Sequence, residues 1–246
     1  MEDDSLEFQQ RNAEYIKQMS EDASLQKLTT EWFQKASEYE YPYHFSWLGR
    51  PIIQFPQDIL MMQEIIWEVQ PDLIVETGIA RGGSLIFYAS MLELLGGERD
   101  ILGIDIDIRA HNKVAIEQHP MFNRIKMIQG SSVDEEIVKQ VYKIAEGKQK
   151  ILVAFDSKHT HEHVLKELEL YSPLVTKGSY LVVFDTIVED MAPAFFSNRP
   201  WDKGNNPKTA VYQFLSQNDR FEIDKTINAK LLITSSPDGY LKCIKN

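Results

Sequence analysis

Residues 73–84, LIVETGIARGGS, constrain the fold more than any other stretch of this chain. Leu73-Ile74-Val75 is apolar, β-branched in part and too short for a helix, the pattern of a buried strand. Glu76 closes that strand. A turn of small residues follows, with Gly78, Ala80, Gly82 and Gly83, and Ser84 then opens the apolar helical stretch SLIFYASMLELL. Strand, small-residue turn and helix form the opening βα unit of a nucleotide-type binding fold. In such a unit glycines let a ligand approach the backbone and the helix start offers free N–H groups. The turn lacks the GK[ST] of a phosphate cradle. Ala80 also stands where the strict dinucleotide pattern needs its second glycine. A carboxylate at the strand end suits a ligand that carries an amino group, as S-adenosylmethionine does, better than a pyrophosphate. An ordinary tight βα turn is the plainer alternative, because glycine-rich turns recur across α/β folds.

The rest of the chain repeats the βα theme. Residues 101–105 form a second strand ending on Asp105, and 123–129 a third, followed by Gly130, Ser131 and Ser132. Ser132 and Glu135 have the spacing of a capping box, which predicts a helix over 133–146. A fourth strand over 150–156 ends on Asp156, with Lys158, His159, His161 and His163 just beyond. A helix then runs to about residue 174, and a fifth strand over 180–185 ends on Asp185. This alternation predicts a parallel sheet covered by helices on both faces. Ligands bind at the carboxyl ends of such strands, so Glu76, Asp105, Asp156 and Asp185 are expected on one rim. Asp105 is placed to accept from both hydroxyls of a ribose, and capping the next turn is its other reading. A helix over 209–217 and strands over 221–224, 231–235 and 240–244, with a Pro237-Asp238-Gly239 turn, add an antiparallel end to the sheet.

Three segments stand apart. Residues 1–40 are polar and helix-prone, with no Gly or Pro and with apolar positions such as Leu6, Phe8, Tyr15, Trp32 and Phe33. They predict a helical N-terminal arm distinct from a domain over 41–246, packed either on a partner subunit or on its own domain. Residues 41–56 are dense in aromatics and proline and read as a loop, with Asp58 capping a helix over 59–69. Residues 186–208 form a long connection containing Arg199 and Trp201, the length of a lid. A net charge of −11 argues against tracking a nucleic-acid backbone. The single cysteine, Cys243, excludes an internal disulfide and a cysteine-rich zinc site. No signal-like segment or run of membrane-spanning length is present, so a cytoplasmic protein without a membrane span is expected.

Six stretches carry a resemblance: FSWLGRPIIQFPQD (45–58), PDLIVETGIARGGS (71–84), GIDIDIR (103–109), DSKHTHEHV (156–164), LYSPLVTKGSYLVVFDT (170–186) and SPDGYLK (236–242). In these the chain resembles the cephalosporin hydroxylase / rhamnosyl O-methyltransferase family of class I S-adenosylmethionine-dependent methyltransferases. The resemblance implies an α/β, Rossmann-like fold with a seven-stranded, mostly parallel sheet and a reversed C-terminal strand, preceded here by the helical arm. It implies S-adenosylmethionine along Glu76, Gly78, Ala80, Gly82, Gly83 and Ser84, with Asp105 on the ribose and Ser131 beside it. It also implies Mg²⁺ near the methyl group, at Asp156 and Asp185. Relatives carry Glu-Asp at the fifth strand end, where this chain has Phe184-Asp185, one ligand fewer. Glu189 and Asp190 stand in the following loop as substitutes. No two-histidine-one-carboxylate set is legible.

The implied chemistry is in-line transfer of a methyl group from a sulfonium to a hydroxyl of a sugar, glycan or secondary metabolite. Asp156, His159 and Lys158 are the candidates to position and deprotonate that hydroxyl. A homo-oligomer is expected. Two other readings stand beside this one. Phe184 favours a catalytically silent S-adenosylmethionine-binding or assembly protein. The fold alone would also suit an NAD-dependent oxidoreductase, against which Ala80 and Glu76 argue.

Overall fold

The computed structural model describes residues 4–193 and 195–246, so residues 1–3 of the arm and Ala194 of the long connection lie outside the described residues. The arm forms α1 (Asp4–Glu21) and α2 (Ala23–Ser37). Asp22 separates them, its carboxylate accepting from the N–H groups of Ser24 and Leu25 at 2.9 and 3.0 Å, an N-cap for the second helix. The aromatic stretch that reads as loop contains a hairpin, β1 (Phe45–Trp47) and β2 (Arg50–Ile52). Its two-residue turn needs positive φ at both positions, and Leu48 and Gly49 supply 45° and 83°.

Next comes α3 (Pro56–Val69), which starts earlier than predicted. Proline is already arranged for the first helical position, so Asp58 lies inside the first turn and does not cap the helix. It is fully buried and accepts from the Ser235 N–H at 2.8 Å, the Tyr240 hydroxyl at 2.7 Å and the Thr234 hydroxyl.

The alternating region follows in order: β3 (Leu73–Thr77), α4 (Gly83–Leu95), β4 (Asp100–Asp105), α5 (Ala110–Glu117), β5 (Ile125–Gln129), α6 (Glu135–Ala145), β6 (Ile151–Phe155), α7 (His161–Tyr171) and β7 (Tyr180–Val183). The chain ends with α8 (Pro207–Gln217), β8 (Phe221–Ile223), α9 (Lys225–Leu231) and β9 (Tyr240–Cys243). Two expectations change here. The stretch 231–235 is not a strand, because α9 runs into it and Thr234 and Ser235 turn toward Asp58. Asp134, not Ser132, caps α6, accepting from the N–H groups of Glu136 and Ile137. The Ser132 hydroxyl is instead given to Glu167.

The seven strands lie in the order β5-β4-β3-β6-β7-β9-β8. The first five are mutually parallel, and β9 runs antiparallel between β7 and β8. This is the class I methyltransferase sheet with its reversed last strand. Strand order reverses between β3 and β6, where Thr77 pairs with Phe155, and ligands bind in the crevice at such a switch point. Every residue of β3, β6 and β7 is buried. Successive side chains point to opposite faces. Ile74, Ile101, Leu152 and Val182 therefore pack under α3 and α4, and Val75, Leu102, Val153 and Leu181 pack under α6, α7 and α8.

The arm folds back onto its own domain. α1 lies along α9, and Phe33 of α2 stacks on Phe55 with ring centroids 5.1 Å apart. Among the described residues no helix is long and apolar enough to cross a membrane.

Candidate functional site

The turn between β3 and α4 is held from several sides. Gly78 has φ +85°, and a Cβ there would stand 2.0 Å from the Asp156 carbonyl oxygen. A Cβ on Gly83 would meet the Pro51 carbonyl oxygen at 2.1 Å, and one on Gly82 the Ile116 side chain at 2.3 Å. The glycines expected to admit a ligand thus first admit the protein's own β6 end, hairpin and α5. Ala80 takes a left-handed φ of 43°. The Asp105 carboxylate accepts from the N–H groups of Ile79 at 2.9 Å, Ala80 at 3.3 Å and Asp107 at 2.9 Å. Asp105 therefore caps the turn, a role compatible with its ribose reading. Three of its roughly four acceptor sites are occupied. Ser131 lies beside it, half-buried, where the Gly130 N–H donates to the Asp105 carbonyl.

Glu76 is fully buried. One carboxyl oxygen accepts from the Ser84 hydroxyl at 2.8 Å, and the other, Oε1, has no partner. Burial, with a smaller push from the charge on Asp105, raises this carboxyl to about 8, against the pull of Ser84. An unpaired, buried carboxylate oxygen is costly unless a donor reaches it, and a ligand ammonium is such a donor. Nearby, Gln54 is 4% exposed and neither atom of its amide has a partner. The Tyr88 hydroxyl, whose pKa burial pushes upward, is also unpartnered. Gln54 is close enough to bias the ionisation of both Asp156 and Tyr88, yet makes no well-formed hydrogen bond with either. Sequence reading met Gln54 only inside a motif. Nothing local marks a loop glutamine as buried.

Across the switch point, Asp156, His159 and Asp185 bring one donor atom each within 4.8 Å of one another. The His159 Nε2 is 3.0 Å from an Asp185 oxygen and 4.0 Å from an Asp156 oxygen. Burial, followed by the neighbouring charge on Asp185, holds the Asp156 carboxyl well above the usual range. Asp185 itself has φ 56°, so the chain turns sharply as it leaves β7. Trp201 meets His159 edge to face at 4.8 Å, and Arg199 lies over Trp201 at 5.5 Å.

Several candidates fall elsewhere. Lys158 is exposed and outside the cavity wall, because the chain after Asp156 turns it toward solvent while His159 turns inward. Glu189 accepts from the Gly204 N–H and the Asn206 side chain, and Asp190 pairs with Lys208 at 2.8 Å. Neither replaces the missing ligand. Phe184 is 1% exposed and packs in the core.

A cavity of about 680 Å³ lies at the Asp156–His159–Asp185 cluster, within the usual size of a small-molecule site. Of the expected cofactor residues Ala80 lines it, while Glu76, Gly78, Gly82, Gly83, Ser84, Asp105 and Ser131 lie behind its wall. Gln54, Asp156, His159 and Asp185 line it, and so do Arg199 and Trp201, the latter against His159. Phe33 and Ser37 of α2 complete the wall, so the arm belongs to the rim of the site. Behind it, Glu167 of α7 is fully buried and accepts from the hydroxyls of Ser132 at 2.6 Å and Ser157 at 2.8 Å. It joins the loop after β5 to the loop after β6. As a charged residue on a helix it gave no sequence signal of that role.

Comparison with known proteins agrees with this geometry. The family model for rhamnosyl O-methyltransferase/CmcI matches residues 39–244. A rhamnosyl O-methyltransferase of Mycobacterium bovis is 31% identical over 189 residues, covering 75% of this chain and 72% of that protein. The Mycobacterium leprae protein of the same name is 32% identical over 142 residues, 57% of this chain and 60% of its own. Among solved structures, one titled "cmcI-D160 Mg-SAM" superposes with a TM-score of 0.57 at 20% identity, covering 82% of this chain and 78% of that one. An O-methyltransferase from Bacillus cereus in complex with SAH gives 0.52 at 14% identity, covering 82% of each chain; both likenesses are of fold. With the family model spanning the whole sheet and the cofactor turn, the chain belongs to the rhamnosyl O-methyltransferase/CmcI family and is an S-adenosylmethionine-dependent O-methyltransferase.

Proposed function

We propose that this enzyme methylates a hydroxyl of a sugar or sugar-bearing small molecule, with a divalent cation at Asp156 and Asp185. The observation that carries the reading is the Asp156–His159–Asp185 cluster facing the cavity next to the cofactor turn. The relatives' name, rhamnosyl O-methyltransferase, supplies the sugar. Glu76 receives the cofactor's ammonium on its free oxygen, and the Gln54 amide receives a further polar group of the bound molecules. Glu76, Gly78, Ala80, Gly82, Gly83, Ser84 and Ser131 border the cofactor, and Asp105 holds the turn on which it rests.

Methyl transfer needs the acceptor oxygen in line with the sulfonium and stripped of its proton. Asp156, beside His159 on the cavity wall, is the carboxylate placed to orient that hydroxyl. Trp201 offers an aromatic wall to a sugar face. Two carboxylates this close favour a cation between them, and the donor set fits one. When bound, such an ion supplies orientation of the acceptor hydroxyl and a lower pKa for it. Phe184 was the argument for a silent cofactor-binding protein. His159 supplies a third donor and weakens that argument.

Leu6, Phe8 and Tyr15 stay exposed on α1, which supports a homo-oligomer joined through the arm. Composition supports a cytoplasmic location.

Calorimetry with S-adenosylhomocysteine, then labelled methyl transfer to a panel of rhamnosides and other glycosides, tests the proposal. Binding together with transfer to a glycoside is the expected result. Binding without transfer to any glycoside overturns the sugar assignment, and stabilisation by NAD alone overturns the cofactor.

A further inference from the structure

We infer that His159 is the nitrogen ligand of the divalent ion, and that the site is thereby tuned toward a borderline first-row ion such as Co²⁺ or Zn²⁺ and away from Mg²⁺. The inference rests on the proposal that a cation sits at Asp156 and Asp185.

The donor set itself departs from an all-oxygen site. Position 184 supplies no oxygen: Phe184 is 1% exposed and packed among core residues. The loop carboxylates Glu189 and Asp190 are committed to Asn206 and Lys208. The third donor within reach is the His159 imidazole, whose Nε2 lies 3.0 Å from Asp185 and 4.0 Å from Asp156. The three donor atoms fall within 4.8 Å of one another, a little beyond the roughly 4 Å that two ligands about 2 Å from one ion can span, so small side-chain shifts bring them onto one ion.

His159 is only 13% exposed, and the edge contact with Trp201 restrains its ring. The Gln54 amide, buried, unpartnered and on the same cavity wall, points independently to a polar occupant beside Asp156. Mg²⁺ requires hard oxygen ligands and gains little from imidazole, whereas borderline ions such as Co²⁺ and Zn²⁺ accept it well. Replacing a third carboxylate by a neutral imidazole also removes one negative charge from the set, which costs a hard ion most.

The test is metal binding by the full chain after chelator treatment, read by calorimetry with Mg²⁺, Zn²⁺ and Co²⁺ each alone. First-row ions outrank Mg²⁺ at most sites, so the informative quantity is how the preference changes between variants. In His159→Gln, Co²⁺ and Zn²⁺ affinity is expected to fall by about tenfold or more, with Mg²⁺ affinity within about twofold of the parent. His159→Asp is expected to move the preference toward Mg²⁺. The visible absorption of bound Co²⁺ should change in His159→Gln. S-adenosylhomocysteine affinity, measured alongside, should stay constant and shows that the variants fold.

Equal losses for all three ions, or no loss for any, overturn the nitrogen ligand. Absence of metal binding in a parent chain that binds S-adenosylhomocysteine overturns this inference and leaves the cofactor reading standing. Failure to bind S-adenosylhomocysteine strikes that reading instead.

Discussion

The carbonyl oxygen of Asp156 occupies the place where a side chain on Gly78 would begin, 2.0 Å from an ideal Cβ. The end of β6 and the turn after β3 therefore cannot move independently. Gly78, lacking a side chain, lets the turn after β3 sit against the strand end at the Asp156–His159–Asp185 cluster.

Gly78→Ala should on this account damage both halves of the site. A left-handed conformation costs a residue with a Cβ about 1–2 kcal/mol, and the overlap with Asp156 adds to it. We expect a lower melting temperature, weaker S-adenosylhomocysteine binding and weaker metal binding together. Normal metal affinity with only the cofactor affected would show that the two segments are not coupled.

Glu76 makes stability and cofactor affinity depend on pH in opposite directions. Its carboxyl rises from an ordinary 4.5 to about 8 in the folded chain. Between those values the folded state binds more protons than the unfolded one, so the ligand-free protein should lose stability as pH rises through that window. An ammonium on Oε1 favours the ionised form, so S-adenosylhomocysteine should bind with proton release and more tightly as pH approaches 8. Glu76→Gln should remove both dependences, stabilise the free protein near neutral pH and weaken binding. Calorimetry in buffers of different ionisation enthalpy reads the released proton directly.

Glu167 offers a contrast between two variants. Both serine hydroxyls donate to the same oxygen, Oε1, and a glutamine carbonyl can accept in its place. Glu167→Gln should therefore stay near the parent in stability. Glu167→Ala leaves the Ser132 and Ser157 hydroxyls without that acceptor and should cost about 2–4 kcal/mol, visible as a clear drop in thermal midpoint.

Trp201 should act on the acceptor and spare the cofactor. Trp201→Ala removes the aromatic wall and the edge contact to His159, so KM for a glycoside acceptor should rise about two- to tenfold, the size of an aromatic contact. S-adenosylhomocysteine affinity should not move. A change confined to the cofactor would place Trp201 outside the acceptor site.

The sequence by itself determined the sheet and its rim. Short apolar runs ending on Glu76, Asp105, Asp156 and Asp185, each followed by a turn and a helical stretch, suffice to place four acidic residues at strand ends, because strand period and βα chirality are local and nearly invariant. Only the tertiary structure decided what those residues face. His159 meets Asp185 because the chain beyond β6 turns its ring toward that carboxylate. Gly78 is needed by Asp156, and Asp58 is an anchor for Ser235 and Tyr240 rather than a helix cap. The arm closes a wall of the cavity through Phe33 and Ser37. These relationships join residues far apart in the chain. They depend on which side chains meet when the layers pack, and no local pattern of hydrophobicity or turn chemistry encodes that.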